Sequence, residues 1–128
     1  MKSIITLIIL CGVLVSCSKD GGPQLDEEAP TIAIFAPVTG TILTSGQAFH
    51  LQVDLEENQE IHQYAVNLRT ASMGFEVTLL NEHLDTRTFK IDQMVTVPNL
   101  PDGIYDLVVT ASDHNGNSHQ STVEVVLE

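Results

Sequence analysis

Oxygen-bearing side chains gather in two short stretches of this chain and offer ligands for a metal ion. Glu56, Glu57 and Glu60 fall in one predicted connection between strands, and Asp113 and Asn115 fall in another. Oxygen atoms from several loops are the ligands that Ca²⁺ prefers. Turn chemistry alone also explains the second connection, because Asp, Asn and Gly favour tight turns. A calcium site therefore requires that the two connections meet in space.

The histidines are a second source of metal ligands, but they show no spacing typical of a metal site on one element. They are His50, His62, His83, His114 and His119. His114 and His119 flank one predicted turn, so their imidazoles can approach each other and bind a transition metal weakly. Isolated surface histidines explain the pattern more simply. We therefore expect separate surface side chains.

No set of residues is typical of an active site. The chain has no G-x-S-x-G motif, no pair of carboxylates in a predicted cleft and no Ser/His/Asp set beyond chance. We therefore expect no enzymatic activity and no catalytic residues. Sugar-binding surfaces usually stack sugars on exposed aromatic side chains. Phe35 and Phe75 are the aromatic residues that the strand pattern leaves outside the core, so a glycan-binding role depends on them.

The charge of the chain restricts its partners. The formal net charge is −12, and Lys and Arg together number five. Nucleic acid is excluded, because so few cations cannot neutralise phosphates. Binding to anionic lipid through a basic patch is excluded for the same reason. An acidic surface favours solubility outside the cell and attracts divalent cations.

The first residues have the pattern of an export signal. Lys2 precedes an apolar run over residues 4–15, and the small residue Ser16 is followed by Cys17. This arrangement resembles the lipobox of bacterial lipoproteins. The resemblance implies diacylglycerol on the Cys17 thiol, cleavage after Ser16 and acylation of the new N-terminus. Two or more acyl chains anchor stably, since each buried methylene contributes about 0.8 kcal/mol. Residues 1–16 are thus predicted to be a lipoprotein signal peptide.

Two other interpretations of this segment remain. A transmembrane helix over residues 4–15 would cover roughly 18 Å, which is less than the ~30 Å hydrocarbon core. An ordinary secretory signal with an incidental Cys17 is the other alternative.

Residues 17–30 are rich in Gly, Pro and acidic side chains, and they predict a lipid-anchored flexible tether. Ser18-Lys19-Asp20 resembles the signal that sends Bacteroidota lipoproteins to the outer face of the outer membrane. That signal usually carries a second acid, where this chain has Gly21. We expect an outer-membrane lipoprotein displayed on the cell surface, with the periplasmic face as the alternative.

From residue 31 onward, apolar residues repeat with a period of two, which is typical of β-strands. The predicted strands are 31–36, 48–55, 61–69, 75–80, 87–97, 104–112 and 119–127. Turn signals rich in Gly, Pro and Asn separate most of them and favour an antiparallel β-sandwich of about seven strands. Cys11 leaves with the signal and Cys17 carries lipid, so the fold depends on its apolar core without a disulfide.

The hydrophobic pattern also predicts the register of the last hairpin. A three-residue loop from His114 to Gly116 pairs Leu107 with Val123 and puts both apolar rows on one face. A two-residue loop at Asn115-Gly116 would put them on opposite faces. The longer loop also places Gly116 where a positive φ is required.

The stretch from Gly103 through Tyr105 to Leu107 resembles the start of strand F in immunoglobulin-like domains. In those domains a tyrosine lies at the corner between strands E and F, two residues before a position that is Cys in antibodies and Leu107 here. The chain lacks the Cys pair and the Trp of antibody domains. The resemblance implies that Tyr105 is a structural corner residue.

A wider pattern over residues 29–128 resembles the Ig-like modules of Bacteroidota lipoproteins and is closest to a single-domain family of unknown function. It includes Ala29-Pro30, Gly103-Ile104-Tyr105 and Asn115-Gly116-Asn117. The resemblance implies an Ig-like β-sandwich over residues 31–128. In that fold the two connections of the candidate calcium site lie at the same end.

These observations predict a lipid-anchored cell-envelope Ig-like domain that acts as a non-catalytic binding or interaction module. The lipid connects it to the membrane, and its partner is an unidentified protein or glycan. One alternative is an envelope protein that binds Ca²⁺ or a transition metal. Another is an accessory glycan-binding lipoprotein.

Overall fold

The computed structural model describes residues 25–70, 72 and 74–128, which form an all-β domain. Its strands are β1 (Thr31–Ala36), β2 (Thr41–Leu43), β3 (Ala48–Thr70), β4 (Glu76–Thr96), β5 (Gly103–Asp113) and β6 (Ser118–Leu127). The predicted Ig-like β-sandwich is confirmed, with six strands where about seven were expected. Within this described part, no helix is long and apolar enough to cross a membrane. The predicted signal peptide, Cys17 and the first part of the tether lie outside the described residues.

Strands β3 and β4 form one long antiparallel hairpin that contributes to both layers of the sandwich. Residues 48–56 pair with 88–96, and residues 61–69 pair with 76–86. Between these halves the register shifts, and such irregularities bend a strand. The first half of β3 also pairs with β1, and its second half pairs with β5. The hairpin therefore folds over at the bend and joins the two layers.

This hairpin corrects the predicted strand boundaries. Residues 56–60 were predicted to be a loop, but they belong to β3, and residues 81–86 belong to β4. Both stretches are polar except for Leu84, so the apolar alternation that reveals a strand is missing although the backbone still pairs. The sequence pattern also did not predict β2, which has only three residues and pairs parallel to β6. A strand this short is too brief to show alternation.

The last hairpin has the predicted register. Leu107 lies opposite Val123, and the backbone N–H of Asp113 donates to the carbonyl oxygen of Asn117 at 3.0 Å. Gly116 has a φ of 89°, a left-handed conformation that favours glycine. The three-residue loop is therefore confirmed, and β5 and β6 direct their apolar rows toward the same side.

The apolar core lies between the two layers. Leu51 and Val53 come from the first half of β3, and Val66 and Leu68 come from its second half; all four are fully buried. Tyr105 is 2% exposed. Its hydroxyl donates to the backbone oxygen of Pro101 at 2.8 Å, which is the contact that defines a tyrosine corner.

The domain has two ends, which we name by the position of the N-terminal segment. The tether end carries residues 25–30, the bend of β3 at 57–60 and the β5–β6 turn at 113–117. These segments lie together because Thr31 pairs with Glu56 before the bend, and Ile61 pairs with Asp113 after it. The far end carries residues 37–47, which include β2, and the connection at 97–102. The turn after Thr70 also lies at this end, because Thr70 pairs with Tyr105 near the start of β5.

Candidate functional site

Residues 25–30, the last part of the expected tether, pack on the tether end. The side-chain amide of Asn117 donates to the backbone oxygen of Asp26 at 2.8 Å. One ring nitrogen of His119 lies 3.0 Å from the backbone oxygen of Pro30, which is itself buried. Side chains of the domain therefore contact the backbone of this last part of the expected tether.

Three carboxylates meet where this segment docks. Asp26, Glu57 and Asp113 each place an oxygen within 4.8 Å of the others, and we name them the carboxylate cluster. Glu57 is 8% exposed and Asp113 is 3% exposed. Like charges this close, and largely removed from water, repel one another.

Asp113 obtains its hydrogen bonds from its own turn. Its Oδ1 accepts from the backbone N–H groups of Asn115 and Asn117, each at 2.8 Å. Its Oδ2 accepts from the side-chain amide of Asn117 at 2.7 Å. Burial acts to raise the pKa of Asp113, but these hydrogen bonds lower it below its ordinary value. Asp113 is therefore held as an anion.

Only one of the two carboxylate oxygens of Glu57 accepts a hydrogen bond within the described part of the chain. Its Oε1 accepts from the backbone N–H of Asn58 at 2.8 Å. Its Oε2 is buried, as is Oδ2 of Asp26, and neither has a hydrogen-bond partner in the described part of the chain. Burial is the largest cause that raises the pKa of Glu57, and the charges of Asp26 and Asp113 add to it, against backbone hydrogen bonds from Asn58 and Gln59. The cluster thus favours uptake of a proton or a cation.

The structure brings together part of the predicted calcium site. Glu57 and Asp113 meet in the carboxylate cluster, and Asn115 reaches it through its backbone N–H. Asp26 was missed, because the sequence analysis assigned it to a flexible tether. The available signal was a run of acidic residues at 26–28, two residues before the first strand.

The other predicted ligands lie elsewhere. Glu56 is exposed and pairs with Thr88 across the β3–β4 hairpin. Glu60 is also exposed, and its carboxylate lies near Asp85 and His114. Neither residue belongs to the carboxylate cluster.

Three histidines from neighbouring strands meet beside Glu60, and we name them the histidine cluster. His62 on β3 has its ring centroid 4.5 Å from the centroids of both His83 on β4 and His114 after β5. The centroids of His83 and His114 are 6.1 Å apart. The expectation of separate surface histidines is therefore wrong for these three, because strand pairing brings together residues that are far apart in sequence.

Asp85 connects two of these rings. Its Oδ1 lies 3.2 Å from Nε2 of His83 and 3.0 Å from Nε2 of His114. Desolvation acts to raise the pKa of Asp85, but hydrogen bonds and charge from His114 and His83 lower it below its ordinary value. His119, which the sequence placed near His114, contacts Pro30 instead.

The far end has a different surface. Most large apolar side chains that the described residues expose lie at or near it, namely Phe35, Val38, Ile42, Phe75, Met94 and Ile104. Ile42 and Ile104 are 60% and 57% exposed, and both pair with Val126 of β6. Because paired residues point to the same face, these three side chains form one row, which we name the apolar row. Phe35 and Phe75 are 54% and 47% exposed, as expected.

The fold is similar to that of several solved structures. A superoxide reductase (neelaredoxin) from Ignicoccus hospitalis matches with a TM-score of 0.54 and 12% identity, over 79% of this chain and 81% of that one. Fibronectin(III)-like modules of Clostridium thermocellum CbhA match with a TM-score of 0.49 and 16% identity, over 77% of this chain and 46% of that one. This chain therefore spans about half the length of the CbhA structure. Murine CRIg matches with a TM-score of 0.43 and 15% identity, over 79% of this chain and 98% of that one.

At such low identity, the match to the superoxide reductase shows a shared fold alone. A search of curated proteins finds no match to this sequence. A family model described as "Domain of unknown function (DUF4625)" matches residues 15–128 and so includes Cys17 and the whole β-sandwich. The chain therefore belongs to this family of unknown function.

Proposed function

We propose that this chain is a lipid-anchored Ig-like module of the cell envelope that acts by binding and not by catalysis. The observation that carries the proposal is the contrast between the two ends of the domain. Cys17 precedes Asp26 by about nine residues, which span at most roughly 30 Å when extended. A lipid on Cys17 would therefore hold the tether end near the membrane and leave the far end pointing outward.

The far end offers a surface for a partner. Its apolar row of Ile42, Val126 and Ile104 lies on the outer face of β2, β6 and β5. Exposed apolar side chains grouped on one surface are typical of protein interaction sites. A protein partner that covers this row would bury the two isoleucines, which are more than half exposed in the free domain.

Anchoring is tested by changing the lipid acceptor. Cys17→Ala should move the protein from the membrane fraction to the soluble fraction or stall its processing. Protease added to intact cells should remove the wild-type domain if it is displayed on the surface. A variant that fractionates and migrates like the wild type would contradict anchoring. Protection until the outer membrane is lysed would place the domain on the periplasmic face.

The binding surface is tested by crosslinking in intact cells. A photoreactive residue at position 104 should capture a partner, and one at position 25 serves as the matched control. Leu25 is also apolar and 75% exposed, but it lies at the tether end. Equal capture from both positions, or none from position 104, would contradict a role for the apolar row.

Calcium binding at the carboxylate cluster is a second function, favoured by two buried oxygens, on Glu57 and Asp26, that have no partner within the part of the chain that the structure describes. Three converging carboxylates offer the oxygen ligands that Ca²⁺ prefers. A ligand that binds only the native state stabilises it by about 2.7 kcal/mol at a hundredfold excess over Kd. Millimolar Ca²⁺ should therefore raise the melting temperature of the protein by several degrees.

Two controls test whether the effect is specific: a substitution of Glu57, and the replacement of Ca²⁺ by Mg²⁺ or NaCl. Glu57→Gln should abolish the response to Ca²⁺, since it removes the half-satisfied carboxylate. An acidic surface that is merely screened would respond about equally to Mg²⁺ and to added NaCl, and would be indifferent to Glu57. That result would exclude a calcium site here.

A further inference from the structure

We propose that His83, Asp85 and His114 form a second metal site, which binds a divalent first-row transition cation such as Zn²⁺. The site lies at the tether end but is distinct from the carboxylate cluster. It is independent of the proposed calcium site, because the two share no ligand.

The position of Asp85 between the two imidazoles suits such an ion. Zn²⁺ lies about 2.0–2.1 Å from imidazole nitrogen and about 2.0–2.2 Å from carboxylate oxygen, so ligand atoms in a tetrahedral shell are about 3.3 Å apart. Oδ1 of Asp85 lies 3.2 Å from Nε2 of His83 and 3.0 Å from Nε2 of His114. Both separations are close to that edge length, so a small outward shift of Asp85 would admit the ion.

The types of ligand select the class of metal. Two imidazole nitrogens with a carboxylate form a mixed N/O set, which suits Zn²⁺, Ni²⁺ or Cu²⁺. Ca²⁺ takes oxygen ligands almost entirely. The histidine cluster and the carboxylate cluster therefore differ in the cation that they favour, although both lie at the tether end.

Further donors surround the three ligands. Glu60 places an oxygen within 4.8 Å of the ligand atoms of Asp85 and His114, and so offers a further oxygen donor. His62 packs against both other rings, and its Nδ1 is buried without a hydrogen-bond partner among the described residues. A register shift of β3 between Ile61 and Gln63 falls at this position, and bulges re-aim side chains.

The site is open to an incoming ion. Glu60, Asp85 and His114 line an open hollow together with Gln59, Arg87 and Asn115. The guanidinium of Arg87 opposes the approach of a cation, but the two carboxylates outnumber it. Exposure of His83 and His114, at 56% and 44% of their side chains, leaves both rings accessible.

The main competing account needs no metal, since Asp85 can accept hydrogen bonds from both imidazoles. The chain contains a matched control for it. His50 lies 2.6 Å from Asp92 and is 48% exposed, so it is a histidine–carboxylate pair of similar exposure without a second imidazole on the same carboxylate.

The experiment measures Zn²⁺ binding by calorimetry on the full-length protein, purified in detergent without a histidine tag and stripped with a chelator. We expect saturable binding of one Zn²⁺ per chain. His83→Gln, His114→Gln and Asp85→Asn should each weaken binding at least about tenfold. His50→Gln should leave the affinity unchanged, and Glu57→Gln should also leave it unchanged because it affects only the carboxylate cluster.

Other results would overturn the proposal. Absence of saturable binding would show that Asp85 is only hydrogen-bonded. Equal weakening in His50→Gln and in the cluster variants would show non-specific binding to surface histidines. A thermal melt of each variant checks that it is folded. If a histidine variant is unfolded, Asp85→Asn still tests the proposal, because it replaces an exposed carboxylate with an exposed amide of the same shape.

Discussion

Strand β5 begins and ends near a buried polar side chain, and the two side chains have different surroundings. At the far end, Tyr105 is 2% exposed and donates one hydrogen bond to Pro101. At the tether end, Asp113 is 3% exposed and accepts three hydrogen bonds from its own turn. Both side chains are satisfied, but only Asp113 lies beside carboxylate oxygens that have no partner among the described residues.

This difference separates a structural position from a candidate binding position. The tyrosine corner stabilises the fold, because its ring fills the core and its hydroxyl closes a local turn. The carboxylate cluster places three acids together, which is unfavourable without a proton or a cation. Substitutions at the tyrosine corner should therefore change stability alone, whereas substitutions in the carboxylate cluster should change how stability responds to pH and to cations.

The largest effect is expected at the tyrosine corner. Tyr105→Ala should lower the free energy of unfolding by about 3–5 kcal/mol, because it leaves a cavity in the core. Asp106→Ala is the matched control one residue along β5. Its carboxylate faces outward and lies 3.6 Å from the Arg69 guanidinium, a pair that contributes at most about 1 kcal/mol. Equal losses in chemical denaturation would contradict the difference between the two faces of β5.

A smaller loss is expected at the other end of the strand. Asp113→Ala should lower the free energy of unfolding by roughly 2 kcal/mol, since three hydrogen bonds to a buried carboxylate are lost. Relief of repulsion with Glu57 offsets part of that loss. Asn115→Ala keeps the backbone donor and serves as the control, so it should cost less. A loss at Asp113 as large as that at Tyr105 would show that the turn is as important to the fold as the core.

The core and the corner could be predicted from the sequence because their signals are local. Alternation over 48–55 placed Leu51 and Val53 inside, and the shared face of Leu107 and Val123 decided the hairpin loop. Each of these inferences needs only the period of a strand and the length of a turn.

The tether end could be predicted only in part, because its groups come from separate elements. Glu57 and Asp113 were expected to meet once the sandwich was assumed. Asp26 was missed, since docking of residues 25–30 depends on tertiary contacts with Asn117 and His119. The histidine cluster depends on the register of β4 with β3, which a polar bend conceals from any hydrophobic pattern.

A third effect isolates the hydroxyl of the tyrosine corner. Tyr105→Phe keeps the ring and removes the hydrogen bond to Pro101, so it should cost about 0.5–1.5 kcal/mol. This loss should be the same with chelator and with Ca²⁺, because the far end has no part in the carboxylate cluster. A loss that depends on Ca²⁺ would show that the two ends are coupled.

The smallest effect has the opposite sign and belongs to Glu57. In chelator at pH 7, Glu57→Gln should raise the free energy of unfolding by about 1 kcal/mol, because the amide removes a buried charge and can donate to a neighbouring carboxylate. The pKa of Glu57 is raised in the folded state above its ordinary 4.5. The penalty for its ionised form is therefore complete above the folded pKa and disappears as the pH falls toward 4.5.

The difference in stability between Glu57→Gln and the wild type should accordingly be largest at pH 7 and should shrink as the pH is lowered. Asp113, with its lowered pKa, contributes in the opposite sense, and its contribution is lost only below its ordinary 3.8. Glu57 and Asp113 therefore change stability in opposite directions as the pH is lowered. Saturating Ca²⁺ should reverse the order and make the wild type the more stable protein. If Glu57→Gln leaves the free energy of unfolding unchanged both in chelator and in Ca²⁺, the carboxylate cluster does not destabilise the fold. The two ends would then differ only in which residues they contain.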